Sequence, residues 1–295
     1  MSSRWDGAAE VIVIHRDRPE ACLATVRAFL GEGPGLHVTV VDNGSSPEAI
    51  GDLRRSLPAA VDLVENGHNL GFGPAANVGL SRWLARGTGE WAVIAPHDAQ
   101  PVPGSVAALL ETGSARPRAG VCCADYGDRG RPRVDRYLGG LVFPAPDGDA
   151  ETWIPTDHPH GTMLALRRSC LVDVGLFDER YFAYVEEADL GLRAVAAGWD
   201  VGVVPAAVVI NPHTSVARPV VEYLQLRNTL LLIREHFGLY PVVVRTVIAA
   251  LSTLHQSLRP SRRAAWFDAG ARMLAVADFA RGRYGEPPAS VAARP

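Results

Sequence analysis

The most regular pattern in this 295-residue chain is VIVIHRDRPEACLATVRAFLGEGPGLHVTVVDNGSSPEAIGDLRRSLPAAVDLVE, residues Val11–Glu65. It contains runs of consecutive β-formers that are typical of strands covered on both faces. A proline suits the first turn of each intervening helix. The predicted elements are strands Val11–Ile14, Leu36–Val41 and Val61–Glu65 and helices Pro19–Leu30 and Pro47–Leu57. This alternation predicts an α/β fold with a parallel, doubly wound sheet.

Two acidic residues follow predicted strands directly. Asp42 ends the second strand, and Asp98 follows a fourth strand over Trp91–Ala95. In doubly wound sheets, ligands bind beyond the carboxyl ends of the strands. Carboxylate oxygens suit Mg²⁺ or Mn²⁺, which commonly bind substrate phosphates as well. The alternative for Asp98 is an ordinary aspartate in a proline-bounded turn.

A glycine-rich loop follows the third strand. It reads NLGFGPAANVG, and its glycines Gly71 and Gly73 precede a helix that begins near Pro74. Such an entry to a helix N-terminus suits a phosphate, although a loop without a ligand has the same composition. The stretch lacks the Gly-Lys-Ser/Thr ending of a P-loop, and it follows the third strand where a dinucleotide fingerprint follows the first.

The middle of the chain is less regular. We expect a helix over Val102–Glu111 and strands over Val121–Ala124 and Met163–Leu166, with a helix over Arg168–Val174. Between these strands, residues 125–157 are rich in Gly, Pro, Asp and Arg, with a short hairpin predicted over 137–143. A long irregular insertion of this kind is typical of a binding loop or a lid.

An acidic stretch comes next, FAYVEEADLGLRAVAAGWDVGVVPAAVVINPH, residues 182–213. We expect an aromatic turn, a helix over Leu190–Ala197 that Gly198 stops, and a Val-rich strand that ends at His213. The acids of the turn are Glu186, Glu187 and Asp189. This order brings a base and a metal ligand to one cleft, whereas the alternative is a solvated acidic helix start favoured by the helix dipole.

The C-terminal part changes character. Its predicted amphipathic helices are Val220–Phe237, Pro241–Gln256 and Arg262–Arg283. The Pro/Ala-rich tail after Gly285 is predicted to be disordered.

Composition narrows the class of protein. A net charge of −3 gives no indication of a nucleic-acid partner. Four cysteines without a C-x-x-C pair argue against a cysteine metal site or a disulfide framework, so we expect buried, reduced thiols. The N-terminus has no apolar signal core. The longest apolar run, Leu239–Leu251, is interrupted by Arg245 and falls short of the ~20 residues that span a bilayer. We therefore expect a soluble, cytoplasmic protein.

Taken in order, the motifs resemble those of the inverting family-2 glycosyltransferases, and by pattern the bacterial rhamnosyltransferase-like subgroup. The resemblance rests on VTVVDNGSS, NLGFGPAANVG, the acid after the fourth strand, HGTMLALRRSCLVDVGLFDERYFAYVEEADLGLR and the histidine after the last strand. It covers about Val11–Phe237. It implies a GT-A fold with a catalytic domain over 1–220, in which about 1–115 bind nucleotide and about 116–220 bind acceptor. A helical segment over 221–285 and a tail over 286–295 follow.

The resemblance also implies roles for individual residues. Asp42 matches an acid that contacts the nucleotide base or ribose, and Gly161 matches a small residue on the floor of the sugar pocket. Glu187 matches the general base, with Glu186 as the alternative. Asp98 and His213 match ligands of a Mg²⁺ or Mn²⁺ ion. The donor-side residues are Asp42, Asn43, Asn69, Gly71, Asn77, Asp98 and Gly161, and those assigned to the acceptor are Asp189, Arg227 and Asn228.

The reaction that the resemblance implies explains these residue types. A sugar leaves a nucleoside diphosphate while an acceptor hydroxyl attacks from the opposite face. A divalent cation stabilises the departing diphosphate, and a carboxylate removes the proton of the hydroxyl. Repulsion among Glu186, Glu187 and Asp189 is expected to raise the pKa of at least one of these carboxyl groups. The donor is expected to be dTDP-rhamnose or another deoxysugar nucleotide, a UDP-sugar or GDP-mannose, and the acceptor a glycan, a lipid-linked saccharide or a natural product.

Three departures from the family pattern leave alternatives open. Pro96-His97-Asp98 stands where Asp-x-Asp or Asn-Pro-Asp is common, so metal dependence is open and His97 is a possible substitute ligand. Glu-Glu stands where Glu-Asp is commoner. His15-Arg16-Asp17 ends the first strand where the family often has a Thr-Tyr-Asn-like turn, and Arg16 is either a phosphate partner or a surface charge. The non-catalytic alternative is a degenerate sugar-nucleotide-binding scaffold. A nucleotidyltransferase is disfavoured because HRDRPE lacks the glycines of its phosphate loop.

The C-terminal helices have three possible roles at this point. They could cover the acceptor cleft, form a homodimer, or lie on the inner face of a membrane. Arginines that suit an anionic bilayer, or simply a solvated face, are Arg227, Arg234, Arg245, Arg259, Arg262 and Arg263.

Overall fold

The computed structural model describes residues 7–126, 133–142, 152–211, 218–259, 261, 263 and 267–292. The strands are β1 Ala9–His15, β2 Leu36–Asp42, β3 Asp62–Glu65, β4 Trp91–Pro96, β5 Gln100–Pro101, β6 Ala119–Asp125, β7 Arg133–Asp135, β8 Gly140–Val142, β9 Ile154–Pro155, β10 Leu164–Arg167 and β11 Asp200–Ile210. The α-helices are α1 Pro19–Glu32, α2 Pro47–Ser56, α3 Phe72–Arg86, α4 Ser105–Ser114, α5 Arg168–Val174, α6 Glu186–Ala196, α7 Arg218–Phe237, α8 Leu239–Leu258, α9 Ala269–Ala280 and α10 Ala289–Ala292.

The central sheet has the order β3-β2-β1-β4-β10-β6-β11-β5, with β9 paired to β11. Strands β3, β2, β1 and β4 are parallel, so the predicted doubly wound half is confirmed. The second half is mixed, because β10 lies antiparallel to both β4 and β6. Apolar side chains on each face of the sheet pack against helices and form two core clusters. The parallel register sets His15 beside Asp42 at the carboxyl edge.

Local sequence explains the helix boundaries. Ser46 caps α2 by accepting a hydrogen bond from the backbone N–H of Ala49. Gly198, in the left-handed region, follows α6 as predicted. The glutamates expected in a turn instead open α6 itself, which begins at Glu186. Helix α4 begins at Ser105, after a left-handed Gly104, so the prediction started it three residues early.

The described part of the insertion contains a hairpin that begins earlier than predicted. A hairpin of β7 and β8 precedes the predicted position, so that Tyr137 lies in its turn. The Asp135 side chain stabilises this turn by accepting from the backbone N–H groups of Tyr137 and Leu138. The predicted strand end at residue 143 lies outside the described residues.

The C-terminal helices share a core with the start of α6 and the turn before it. Tyr181, Val185 and Ala188 pack in one cluster with apolar side chains of α7, α8 and α9. The last predicted helix is shorter than expected and begins at Ala269. Residues 286–292, predicted to be disordered, include α10, whose Val291 is fully buried. That part of the prediction is wrong because Val291 fills an apolar site beside α7.

The cysteines and helices agree with two further expectations. All four cysteines are free and buried. Within the described ranges, each helix is too short or too polar to cross a bilayer.

Candidate active site

The turn before α6 has a strained backbone. Phe182, Tyr184 and Val185 all have positive φ, at 66°, 68° and 78°. Left-handed conformations are unfavourable for residues with a Cβ, and most of all for a β-branched residue such as Val185. Surrounding contacts must therefore hold this turn, which sets the direction in which the two following glutamates point.

Asn228 on α7 supplies the largest part of that support. Its side-chain nitrogen donates hydrogen bonds of 2.8 Å to the backbone carbonyls of Tyr181, Ala183 and Tyr184. Arg227 donates to the Tyr181 carbonyl at 3.3 Å and to the Asn228 side-chain oxygen at 3.0 Å. Both side chains are fully buried. This geometry gives the Arg-Asn pair a positioning role, which departs from the acceptor contact predicted for it.

The other side of the turn lies against the glycine-rich loop. Gly71 has φ of +94°, and a Cβ there would lie 2.2 Å from the Phe182 carbonyl oxygen. A side chain is therefore excluded at this position. The loop that was assigned to the nucleotide thus touches the turn that carries the candidate base.

Glu187 faces Gly161. A Cβ on Gly161 would lie only 2.2 Å from Glu187 Oε1, so this glycine leaves room for the carboxylate. Burial raises the pKa of Glu187 to about 7, against the opposing effect of hydrogen bonds from the backbone N–H groups of its own turn. A carboxylate with that pKa accepts a proton efficiently near neutral pH.

Glu186 has a different environment. It is buried, its Cγ lies beside Gly73, and its Oε2 has no hydrogen-bond partner among the described residues. Burial, followed by the charge of Glu187, raises the pKa of Glu186 well above its ordinary value. The environment of Glu186 therefore favours its neutral form. Burial is the larger cause for both glutamates, where the sequence predicted repulsion.

Asp42 is held by its neighbours at the carboxyl edge of the sheet. His15 Nδ1 lies 2.9 Å from Asp42 Oδ1, and the Ser45 hydroxyl and backbone N–H also donate to the carboxylate. Burial opposes ionisation, but these hydrogen bonds lower the pKa of Asp42 below its ordinary value. His15 Nε2 accepts from the backbone N–H of Arg18, which assigns the ring proton to Nδ1.

The asparagines assigned to the nucleotide bind protein groups. Asn43 donates at 2.9 Å to the Asn69 side chain and to the Gly71 carbonyl, and so fastens the glycine-rich loop to β2. Asn77 donates to the Phe177 carbonyl at 2.9 Å and accepts from the Phe177 N–H at 3.0 Å. They position the loop and the segment before α6, and direct contact with a nucleotide stays a prediction.

Asp98 lies in a half-buried turn after β4 and forms no hydrogen bond or ion pair with the described residues. The neighbouring His97 packs edge-on against His15 at 5.7 Å, and burial is the main cause that lowers the pKa of His97. A free carboxylate at this edge suits a divalent cation that also binds a diphosphate. Within the described ranges, no three His, Cys, Asp or Glu side chains converge on a metal position. The other predicted ligand, His213, lies outside those ranges.

Asp189 links α6 to α7. Its carboxylate accepts from His236 Nε2 and from Arg193 Nε, both at 2.8 Å. Burial opposes ionisation, yet the hydrogen bonds from His236 and Arg193 lower the pKa of Asp189. Since Asp189 is buried in this network, its place in the structure is that of a helix-to-helix contact. The predicted acceptor contact receives no geometric support.

Beyond Glu187 lies a cavity of about 410 Å³. It is enclosed by the start of α6 and by α7, α8 and α9, with Glu187 in its lining. The volume is in the range of small-molecule sites. Its polar lining includes Glu222 and Arg272, which the sequence did not assign to a site, and Arg245, which it assigned to a bilayer contact or a solvated face.

The profile of the family Glycosyl transferase family 2 matches residues 10–175 of this chain, which is more than half of it. The chain belongs to glycosyl transferase family 2. This confirms the resemblance seen in the motifs, and the protein is a glycosyltransferase.

A curated relative of this family-2 glycosyltransferase comes from Mycobacterium tuberculosis. It is an N-acetylglucosaminyl-diphospho-decaprenol L-rhamnosyltransferase, 33% identical over 204 residues. The match covers 60% of this chain and 66% of the relative, and a second strain of the organism supplies an equal match. The chain thus spans just under two thirds of the length of these relatives.

Two solved structures share the fold. The mannosyltransferase PcManGT from Pyrobaculum calidifontis, in complex with GDP-Man and Mn²⁺, gives a TM-score of 0.63 at 16% identity, with 95% of this chain and 91% of that chain covered. GalNAc-T7 with UDP, GalNAc and Mn²⁺ gives 0.61 at 12% identity, with 92% and 54% covered. These similarities confirm the predicted GT-A fold.

Proposed function

We propose that this family-2 glycosyltransferase is an inverting enzyme that moves a deoxysugar, L-rhamnose first among the candidates, from a dTDP-sugar to a hydroxyl of a lipid-linked saccharide. The observation that carries the proposal is Glu187, a carboxylate with a pKa of about 7 that lies between Gly161 and a cavity large enough for a sugar. The mycobacterial relative acts, by its name, as a rhamnosyltransferase on a lipid-linked acceptor.

In the proposed reaction, the acceptor hydroxyl oxygen attacks the anomeric carbon on the face opposite the diphosphate. The bond between that carbon and the diphosphate oxygen breaks, and the hydroxyl proton passes to Glu187. The strained turn, held by Asn228 and Gly71, fixes the direction of the carboxylate. The raised pKa of Glu186 favours its neutral form, which adds no second charge beside Glu187.

The leaving diphosphate belongs at the carboxyl edge of the parallel strands, as in other doubly wound sheets. Asp98, with its free carboxylate, would hold a Mg²⁺ or Mn²⁺ ion there, and His213 is the second proposed ligand. Such an ion, when bound, supplies charge stabilisation to the departing diphosphate. Both structural neighbours contain Mn²⁺.

A donor panel tests the function. We expect calorimetric titration with UDP, dTDP and GDP, each with and without Mn²⁺, to show Mn²⁺-dependent binding of dTDP. We then expect transfer from dTDP-rhamnose to a synthetic GlcNAc-diphospho-lipid. Nucleotide binding with neither transfer nor donor hydrolysis would contradict catalysis and favour a degenerate scaffold. No binding of any of the three by the folded protein would contradict the donor class.

We also propose that α8 rests on a bilayer as a peripheral contact at the inner face of a membrane. Six apolar side chains, each more than half exposed, follow one face of α8 at helical spacing: Tyr240, Val243, Val247, Leu251, Leu254 and Leu258. Exposed apolar stripes of this kind mark interaction surfaces. A bilayer is the occupant that suits a lipid-linked acceptor.

The arginines predicted for this contact differ in accessibility. Arg227 is fully buried and cannot reach a bilayer, so that part of the prediction is wrong. Arg234, Arg259 and Arg263 are exposed and are available to anionic lipids. Arg262 lies outside the described residues.

Vesicle flotation tests the membrane contact. Because α7 packs into the core, point variants are preferable to deletion of the helices. We expect salt-sensitive binding to vesicles with anionic lipid, lost in the double variant Val247→Ser/Leu251→Ser and kept in Val172→Ser, an exposed valine on α5. If the double variant instead converts a dimer to a monomer without changing flotation, the stripe is a homodimer interface.

A further inference from the structure

The cavity beyond Glu187 is lined by residues other than those assigned to the nucleotide. Its lining residues run from Leu141 to Arg272 and include none from β1 to β4 or from the glycine-rich loop. Glu187 lies at the boundary, where a reacting hydroxyl would meet the donor. A molecule in this cavity therefore belongs to the acceptor.

The two arginines of the cavity differ in their ion-pair partners. Arg272 forms an ion pair with Glu222 and donates to the Thr253 hydroxyl at 2.7 Å. Arg245 forms no ion pair with any described residue, and its Nε is buried without a hydrogen-bond partner among them. Its charged neighbour is Arg272, and burial together with that like charge lowers the pKa of Arg245.

An arginine in this position is costly unless an anion joins it. A partly buried guanidinium without a partner loses solvation that nothing in the protein restores. Two adjacent guanidinium groups offer several N–H donors in planar forks, a geometry that matches phosphate oxygens. Glu222 pairs with Arg272, whereas Arg245 has no ion-pair partner among the described residues and is available to a ligand.

We infer that Arg245, assisted by Arg272, binds the phosphate or diphosphate of an anionic acceptor whose sugar hydroxyl lies at Glu187. This inference rests on the proposed transfer reaction and adds the chemical class of the acceptor. A volume of about 410 Å³ holds a sugar with its phosphates. Arg245 lies on α8, the same helix whose outer face carries the apolar stripe, so a lipid joined to the phosphates has an apolar surface close by.

Acceptor kinetics test the inference. Two acceptors with the same sugar are compared, a GlcNAc-diphospho-lipid and a neutral alkyl GlcNAc glycoside. For Arg245→Gln, we expect KM for the diphosphate acceptor to rise about tenfold or more, as loss of a charged hydrogen bond implies, with KM for the neutral glycoside unchanged. Arg245→Lys, which keeps the charge but loses the fork, is expected to lie between the two. Arg82→Gln, an exposed arginine on α3 that lies outside the cavity and the proposed membrane contact, is the matched control.

Direct binding separates this inference from the proposed function. Calorimetry with farnesyl diphosphate, and with inorganic pyrophosphate in a second arm, needs no transfer. Arg245-dependent binding of farnesyl diphosphate supports the anion site even if no donor is ever used, whereas equal binding of pyrophosphate assigns the site to free anions. Equal KM values of wild type and Arg245→Gln for the diphosphate acceptor, with transfer intact, would overturn the anion site and leave the glycosyltransferase reaction standing. A rise in both KM values would assign Arg245 a structural role.

Discussion

The nucleotide side and the acceptor side of the active site differ in how far their polar and charged groups have partners within the protein. On the nucleotide side, buried Asp42 accepts from His15 and Ser45, and Asn43 donates to the Asn69 side chain. Asp98, the proposed metal ligand, is the exception on that side. On the acceptor side, Glu187 has a raised pKa and Arg245 has no ion pair with a described residue. A side whose polar groups are paired keeps its shape without ligand. A charged group without a partner gains free energy when a ligand arrives, and groups of that kind mark candidate functional sites.

The largest expected effect is at Glu187. Glu187→Gln removes the base while keeping the shape of the side chain, and a positioned base contributes about 10²–10⁴-fold to rate. We expect kcat for transfer to fall by about 10³-fold with donor binding unchanged. The measurement is the transfer rate at saturating donor and acceptor.

Two further measurements test the assignment of Glu187 as the base. Glu186→Gln replaces an acid that is already neutral, so it should keep most of the activity, and equal losses in both variants would contradict the assignment. The raised folded-state pKa of Glu187 means that folding stability falls as pH rises through about 7. At pH 8 Glu187→Gln should therefore unfold at no lower temperature than wild type.

The strained turn should depend on Asn228. Asn228→Ala removes the donor to the Ala183 and Tyr184 carbonyls, whereas the Tyr181 carbonyl keeps its hydrogen bonds from Arg227 and from the Ala183 backbone N–H. We expect a loss of about 2 kcal/mol in the free energy of unfolding, at about 1 kcal/mol for each of these two acceptors. Urea titration measures it, with the exposed Arg234→Ala on the same helix as control. A loss equal to that of the control would show that the turn holds itself.

Gly161 should be intolerant of a side chain because of Glu187. In Gly161→Ala the carboxylate must move by about 1 Å, and a displacement of that size costs about 10²-fold in rate. Gly31→Ala is the matched control, since nothing lies within 4 Å of a Cβ at Gly31. Near-normal kcat in Gly161→Ala would mean that Glu187 does not act from this position.

Substitution of the hydrogen-bonded groups on the nucleotide side should lower the free energy of unfolding. His15→Ala removes a donor to the buried Asp42 carboxylate, and we expect a loss of about 2 kcal/mol. Arg54→Ala breaks the exposed pair with Glu65 and should cost about 1 kcal/mol or less. Thermal unfolding of both variants makes the comparison. Similar small losses would show that the His15–Asp42 pair is not what holds this edge of the sheet.

The fold was largely predictable because its signals are local. Consecutive β-formers marked β1 and β2, and prolines marked the starts of α1 and α2. Asp42 and Asp98 were found by their positions after strands. His15 was seen only as a departure from the family pattern, although a parallel register places the last residue of β1 beside the last residue of β2.

The acceptor side could not be predicted in the same way because long-range contacts create it. Asn228 lies 44 to 47 residues from the carbonyls that it binds. The pKa of Glu187 depends on burial by several elements at once. Arg245 and Arg272 come together only because α8 and α9 fold back over α7. The sequence identified Glu186 and Glu187 as an acidic pair, and the structure distinguishes the environments of the two carboxyl groups.

The pH dependence of the chemical step tests the central claim most directly. Single-turnover transfer, measured by rapid quench at saturating donor and acceptor from pH 5.5 to 8.5, isolates that step from product release. If Glu187 is the base, the rate rises with pH through about 7, reaches a plateau above it, and is about tenfold lower at pH 6. Glu186→Gln should keep this profile. A rate that is flat over this range, or that falls as pH rises, would contradict the account.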